Sequence, residues 1–341
     1  MVMPDARLFS LLKDMEKVSL LIPVYGVEPF IKRCSVSLFG QTYENLEYIF
    51  VDDCSPDRSM EIIRQTLESY PQRKKQVKII RHTTNRGLSA ARNTAVEHVT
   101  GTYLMHVDSD DFLEKDAVER MLTTAVRTSA DIVICDSYLV YQKEKKCYPV
   151  FIPSDKQEYI RCLLHKSVPP SIWGKLFSVS FYKASGVRSI EGLNHGEDYA
   201  TVPRLVYYAR KVVKIDVPLY NYVQSNTTAY TKNITEKSVQ SMVWAEDVLM
   251  NFFRKVAGTA YDKELEIAKL RTKLTLFKMG NRKIYAFVNS LYPELDRIVA
   301  KNVSFTDRVL LFLARHEWYK LLEGCVHLGF WFKLRLLNRL G

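Results

Sequence analysis

The first 135 residues alternate two kinds of hydrophobic pattern. Compact apolar runs predict buried strands over 18–24, 46–51, 77–80, 103–107 and 132–135. Between them apolar residues recur at helical spacing and predict helices over 29–39, 59–70, 89–99 and 117–128, with a short helix candidate ahead of them over 8–15. Tyr25 and Gly26 break the first strand, Asp57 stands where it caps the 59–70 helix, and Thr100 with Gly101 stops the 89–99 helix. Strands separated by helices of this length imply right-handed crossovers and a largely parallel sheet covered on both faces. In such sheets ligands gather at the carboxyl ends of the strands. Polar clusters stand at those ends: Asp52 and Asp53 close one strand, and Asp108, Asp110 and Asp111 follow another.

Residues 136–230 are less regular and rich in Tyr, Pro and Gly, and from about residue 238 the pattern turns helical with a basic, aromatic end. The expected division is an α/β domain over 1–235, with halves 17–135 and 136–235, followed by a helical region over 236–341. No internal repeat and no low-complexity tract interrupts it. Hydrophobic residues at 47% and charged residues at 26% describe an ordinary globular chain. The net charge of +11 favours an anionic partner: phosphate-bearing ligands, a membrane surface or nucleic acid. No recognised nucleic-acid fold or basic-aromatic sheet motif supports the last of these. The six cysteines form no C-x-x-C pair and read as reduced thiols. With neither a signal-peptide core nor an apolar run of membrane-spanning length, a cytoplasmic protein is expected.

Asp108-Ser109-Asp110-Asp111 places three carboxylates in four residues. They repel one another unless a cation joins them, and a hard divalent ion with oxygen ligands suits the set. Such an ion would neutralise a departing diphosphate; a solvated, helix-capping acidic turn is the plain alternative. Asp52 and Asp53 suit hydrogen bonds from a nucleoside base or ribose, or again a capping turn. Around Asn85, Arg86 and Gly87, polar residues lead into a helix carrying Ser89, Arg92 and Asn93, where the helix N-terminus or either arginine suits phosphate. No G-x-G-x-x-G follows the first strand and no Walker A sequence occurs, which disfavours dinucleotide enzymes and P-loop ATPases. Glu197 and Asp198, after Gly196, offer a general base or merely a solvated acidic pair. Trp173, Gly174 and Lys175 join an aromatic face for stacking on a sugar to a cation, although a core Trp has the same appearance.

Taken in order, these segments resemble the family-2 glycosyltransferases with the nucleotide-diphospho-sugar transferase (GT-A) fold. The carriers are VSLLIPVY at 18–25, Gln41-Thr42-Tyr43, VDDCSPD at 51–57, NRGLSAARN at 85–93, Asp108-Ser109-Asp110-Asp111, WGKLF at 173–177 and Gly196-Glu197-Asp198. The resemblance covers residues 17 to about 230. It implies a Rossmann-like, mostly parallel sheet flanked by helices, with a helical C-terminal extension. It implies inverting transfer of a sugar from a nucleotide-diphosphate donor, most commonly a uridine one, with Mg²⁺ or Mn²⁺. Carried over residue by residue, Pro23, Tyr25, Asp52, Asp53, Arg86, Arg92, Asp108, Ser109 and Asp110 belong to the donor site, and Asp108 and Asp110 to the metal. Asp111, Trp173 and Lys175 belong to the substrate pocket, and Asp198 is the base with Glu197 beside it. One departure stands out. Where the family often carries an aromatic-Arg stretch near the diphosphate, this chain has 220–228 with Val223 in the arginine's place, leaving Gln224, Ser225 or Lys232 for phosphate.

From Val303 onward Phe330, Trp331, Phe332, Leu334, Leu336 and Leu337 interleave with Lys333, Arg335 and Arg339. A basic amphipathic helix of this kind suits an anionic membrane surface and a lipid-linked glycan acceptor in bacterial polysaccharide assembly, or packs back on the domain. Two other functions use a similar donor pocket: a sugar nucleotidyltransferase, and an inactive nucleotide-sugar-binding subunit. The first disagrees with Pro23-Val24-Tyr25-Gly26, which lacks a Gly- and Arg-rich phosphate loop, and the second with the intact acidic cluster.

Overall fold

The computed structural model describes residues 16–226, 235–293, 295 and 304–337, and of 329–337 the backbone alone. The expected 8–15 helix lies outside them. The chain forms two compact units, Met1–Leu163 with Ser167–Lys232, and Leu164–Lys166 with Asn233–Gly341.

The first unit begins β1 (Val18–Val24), α1 (Glu28–Phe39), β2 (Leu46–Asp52), α2 (Ser59–Glu68), β3 (Val77–Arg81), α3 (Leu88–Glu97) and β4 (Tyr103–His106). It continues through β5 (Phe112–Leu113), α4 (Ala117–Thr128), β6 (Ile132–Val140), β7 (Lys145–Tyr148) and α5 (Lys156–Leu164). It closes with β8 (Lys175–Ser178), α6 (Val179–Ala184), α7 (Glu197–Tyr208) and β9 (Val212–Val223). The strand order is β3-β2-β1-β4-β8-β6-β9-β5, with β7 added on β6.

Strands β3, β2, β1 and β4 are mutually parallel, as the alternating pattern requires. Val18, Leu20, Ile22 and Val24 join Tyr48 and Phe50 in the core with Ile31, Leu38 and Ile63 of the helices. The alternate residues Leu21, Ile49 and Val51 are equally buried, and α3, with small buried Ala90, Ala91 and Ala95, packs against β1 and β2. Burial on both faces is why these strands appear as continuous apolar runs. Beyond β4 the sheet is mixed: β8 is antiparallel to β4 and β6, whereas β9 runs parallel to β6. The region expected to be irregular therefore holds β7, β8 and β9. β8 is four residues long, and β9 carries Pro218 at a register shift against β6, so neither shows a clean period in the sequence.

Asp57 does more than cap one helix. Its carboxylate accepts from Ser59 N and Ser59 Oγ at the start of α2, and from Glu28 N at the start of α1.

The second unit contains α8 (Glu236–Ala257), α9 (Asp262–Lys278), α10 (Tyr285–Ser290), α11 (Phe305–Arg315) and α12 (Tyr319–Leu337). Val239, Leu274, Phe277, Tyr285, Leu310 and Leu322 form its core. Glu246 is buried there and accepts from Thr272 Oγ1, Lys166 Nζ and Tyr292 OH. Among the described residues no helix is long and apolar enough to cross a membrane.

A buried carboxylate fixes the turn that leads into β4. Glu47 accepts from Ser19 Oγ on β1, from Thr100 N and Oγ1 at 2.7 and 2.8 Å, and from Gly101 N at 3.1 Å. A Cβ at Gly101 would lie 2.5 Å from Lys17 O and 2.6 Å from Ser19 Oγ, so only glycine fits. Burial raises the affinity of Glu47 for a proton, but the donors from Ser19 and Thr100 outweigh it and the pKa is lowered. Its stabilisation is therefore complete above the unfolded carboxylate value of about 4.3 and is lost as pH falls through the lower folded value. Glu47→Gln is expected to cost about 1–3 kcal/mol near neutrality. Urea unfolding at a series of pH values should show that margin constant above about pH 5 and narrowing below it; a pH-independent margin would contradict the assignment.

Candidate active site

The carboxyl ends of β1, β2 and β4 converge through backbone and side-chain contacts. Asp53 N donates to Val24 O, and Gly26 N donates to Ser55 Oγ. Pro23 lies within β1, and the Tyr25 ring beyond it is exposed. Asp52 accepts from Ser55 N at 2.8 Å and lies 3.4 Å from Arg81 Nε. Asp53 is buried, and both its oxygens are engaged: Oδ1 meets His82 Nδ1 at 2.7 Å and Arg86 N at 2.8 Å, and Oδ2 accepts from Gly87 N at 2.8 Å. Its direct work is to shape the 85–87 turn. Gly87 is the N-cap of α3 at φ 87°, and a Cβ there would press on Asn194 Oδ1 at 2.8 Å. The Arg86 guanidinium lies at the surface, 3.2 Å from Glu191.

α3 then directs Arg92 into the interior. Its side chain is 2% exposed, yet it meets three carboxylates: Asp108 at 2.9 Å through Nη2, and Asp198 at 2.6 Å and Glu197 at 3.2 Å through Nη1. Burial works against the charge, but the three anions more than offset it and raise the Arg92 pKa. One buried cation thus joins the acidic turn after β4 to the first turn of α7.

Within that acidic turn the carboxylates have different surroundings. Asp111 is buried, accepting from Tyr220 OH at 2.8 Å and from Val223 N at 2.7 Å, and so ties the turn to β9. The expected arginine position thus contributes its backbone N–H instead. Asp110 accepts from Asn226 Nδ2 at 2.8 Å. Burial and the neighbouring carboxylates raise the pKa of Asp110, and that of Asp111 further. Ser109 is buried between the three. Lys232, Thr227 and Thr228 lie outside the described residues.

Among the described residues no group of three His, Cys, Asp or Glu side chains is arranged to hold a metal by itself. Mg²⁺ commonly takes one or two carboxylates and completes its shell with substrate phosphates and water. Asp108 and Asp110 supply such a hard oxygen pair, and their mutual repulsion is what a divalent cation relieves.

At the start of α7, Gly196 takes φ 84° and sets Glu197 and Asp198 in the first turn, where the helix dipole favours negative charge. Asp198 Oδ2 accepts from Ile172 N at 3.0 Å. Burial raises the proton affinity of both residues, with Arg92 opposing. Lys175 is buried, donates to Ser171 O, and has its pKa brought down to about 8 by burial, with Asp198 opposing. It props the loop that supplies Ile172 N. Trp173 is half-buried and stacks on Tyr220 at 4.6 Å and against Tyr222 at 5.0 Å.

The structure therefore brings together Asp108, Arg92, Glu197, Asp198 and Lys175, with Asp110, Asp111 and Trp173 alongside. It does not bring Arg86 to them, and it turns Asp53 inward. His82, Tyr220, Asn226 and Ile172 hold site residues without having been singled out. Tyr220 and Asn226 lie more than a hundred residues from the aspartates they touch, and Ile172 contributes only its backbone; none of these leaves a local signal.

Residues 19–184 match the family described as glycosyl transferase family 2. A putative glycosyltransferase, EpsH of Bacillus subtilis, is 34% identical over 232 residues, covering 65% of this chain and 66% of its own length. Among solved structures, Staphylococcus aureus TarS residues 1–349 in complex with UDP-GlcNAc align with a TM-score of 0.64 at 18% identity, covering 91% of this chain and 90% of that one. The mannosyltransferase PcManGT of Pyrobaculum calidifontis, in complex with GDP-Man and Mn²⁺, aligns at 0.53 and 16%, covering 91% and 85%. By matched segment, relatives and shared fold, this chain belongs to the family-2 glycosyltransferases of GT-A fold.

Proposed function

We propose that the protein transfers a sugar from a nucleotide-diphosphate donor, a uridine diphosphate sugar by preference, to a hydroxyl of a glycan or lipid-linked glycan in polysaccharide assembly, with inversion. The observation that carries this is Arg92, whose buried guanidinium holds Asp108 on the donor side and Glu197 with Asp198 on the other. The UDP-GlcNAc and GDP-Man complexes of the fold relatives support a nucleotide-sugar donor.

The donor lies across the strand ends. Asp52 faces the nucleoside, and Asp53 acts through the 85–87 turn that it shapes. Asp108 and Asp110 would hold a divalent cation, Mg²⁺ or Mn²⁺, which would supply charge neutralisation for the diphosphate. Asp198 takes the proton of the attacking hydroxyl. Arg92 and Ile172 N fix its two oxygens, while burial makes it a better proton acceptor than a solvated aspartate. Glu197 shares the guanidinium and steadies the charge, and Lys175 acts through the 171–174 loop.

A membrane-surface role for the helical unit gains support from Phe305, Phe312, Trp318 and Leu321, all exposed, with Arg315 and Lys320 nearby in the chain. The side chains of Phe330 through Arg339 lie outside the described residues.

Removal of a general base costs about 10²- to 10⁴-fold in rate. Asp198→Asn is therefore expected to lose that much turnover in a nucleotide-release assay, with donor affinity in equilibrium binding held within a few-fold. Full turnover would remove Asp198 as the base. Sedimentation with anionic and neutral vesicles tests the membrane role. The full chain should pellet with anionic vesicles and lose this in Phe305→Ser/Trp318→Ser, whereas no pelleting would end it.

A further inference from the structure

The mixed half of the sheet carries an aromatic face that continues from the site outward to Tyr148 and Tyr141, which the transfer chemistry leaves unused. Side chains alternate across a strand, and directly paired residues share a face. From Ser137 onward the register pairs Ser137 with Tyr220 and Leu139 with Tyr222, and across the other edge Ser137 with Tyr148 and Leu139 with Lys146. Two rows therefore run across the strands on one face: Tyr220–Ser137–Tyr148 and Tyr222–Leu139–Lys146. Tyr141, two residues beyond Leu139, belongs to the same face, and Lys146 Nζ lies 5.9 Å from its ring centre. The opposite face holds Tyr138 with Lys145 Nζ 3.9 Å from its ring centre, and Lys145 reaches Glu114 three residues past Asp111. The two cation–ring contacts agree with the pairing, and the Lys145–Glu114 ion pair on the opposite face ties the β6–β7 hairpin to the segment after the acidic turn.

Exposure rises along this face away from the site. Tyr220 is fully buried under Trp173, and Tyr222 and Leu139 are half-buried. Tyr148, Tyr141 and Lys146 are exposed. Trp173 follows Ile172, which holds Asp198, and its ring lies 5.0 Å from that of Tyr222. The inner end of the face is thus the active site itself. From Tyr220 to Tyr148 is two strand spacings, about 10 Å.

We propose that this face is an acceptor track for a pyranose oligosaccharide, its sugars beyond the reacting one stacking on Tyr222 and Tyr148. The identification as acceptor rests on the transfer function above. Flat, partly exposed rings with polar edges match pyranose rings, whose axial C–H groups make apolar faces and whose hydroxyls point to the rim. Lys146 at the rim donates to such hydroxyls. Ser137 is buried, so the accessible part of the face runs from Tyr222 over Leu139 to Lys146, Tyr141 and Tyr148.

Cellotetraose and glucose serve as probes, titrated without donor against the full chain and followed by saturation-transfer NMR. The tetrasaccharide is expected to bind at least tenfold tighter than glucose. Tyr148→Ala should remove most of that advantage, and Tyr148→Phe, which keeps the ring, should retain it, with circular dichroism confirming that both variants fold. Equal affinity for the two sugars, no binding of either, or an undiminished advantage in Tyr148→Ala would overturn the track. Loss of neutral-vesicle binding in Tyr148→Ala without any tetrasaccharide advantage would assign the face to lipid and equally overturn it. No donor is present, so a negative result leaves the transfer function standing, and a failed Asp198→Asn prediction leaves the sugar-binding result intact.

Discussion

A single guanidinium held among three carboxylates is the constraint around which the site is arranged. Arg92 is almost wholly removed from water, and a buried charge without partners would cost far more than the fold can supply. Asp108 and the adjacent pair Glu197 and Asp198, which come from two separate segments, supply those partners. α3 delivers the cation, the turn after β4 delivers one anion, and the N-terminus of α7 delivers two. Loss of Arg92 would leave these carboxylates close together without their cation, at a cost of about 3–5 kcal/mol. The shared cation holds the carboxylate of the acidic turn and those of α7 in a fixed relation to one another.

Around that centre the fold supplies a hierarchy of supports. Asp53 ties the 85–87 turn that starts α3, Glu47 ties the turn that starts β4, and Asp111 ties the acidic turn to β9. All three are buried carboxylates receiving backbone N–H donors, the arrangement that makes irregular loops rigid where strands end. Asp108 and Asp110, by contrast, keep partial exposure. Carboxylates lying close together in the sequence thus differ in burial and in partners.

Much of this was legible in the sequence, for identifiable reasons. β1, β2 and α4 appear where their patterns put them, since doubly buried strands and a strongly amphipathic helix leave clear periods. The order of the acidic and glycine-bearing motifs marked segments that the fold brings side by side at Arg92, Asp108, Glu197 and Asp198. Their roles were harder to read. Asp53 and Asp52 are adjacent and chemically identical, and only the 85–87 backbone folding over Asp53 separates them. Arg92 read as one more phosphate-facing arginine, because its partners lie 16 and more than a hundred residues away. β8 and β9 escaped notice for lack of length and because of the shift at Pro218.

The most direct test of the account is nucleotide release from a panel of nucleotide sugars with Mg²⁺ or Mn²⁺, run on the wild type and on Arg92→Lys. Lysine keeps the charge but cannot fork between carboxylates on two sides. Metal-dependent release from a donor is expected of the wild type, and a loss of about 10²-fold or more of a folded Arg92→Lys protein, the scale of a misplaced catalytic group. Undiminished release by Arg92→Lys, or no release from any donor by the wild type with acceptors supplied, would contradict it.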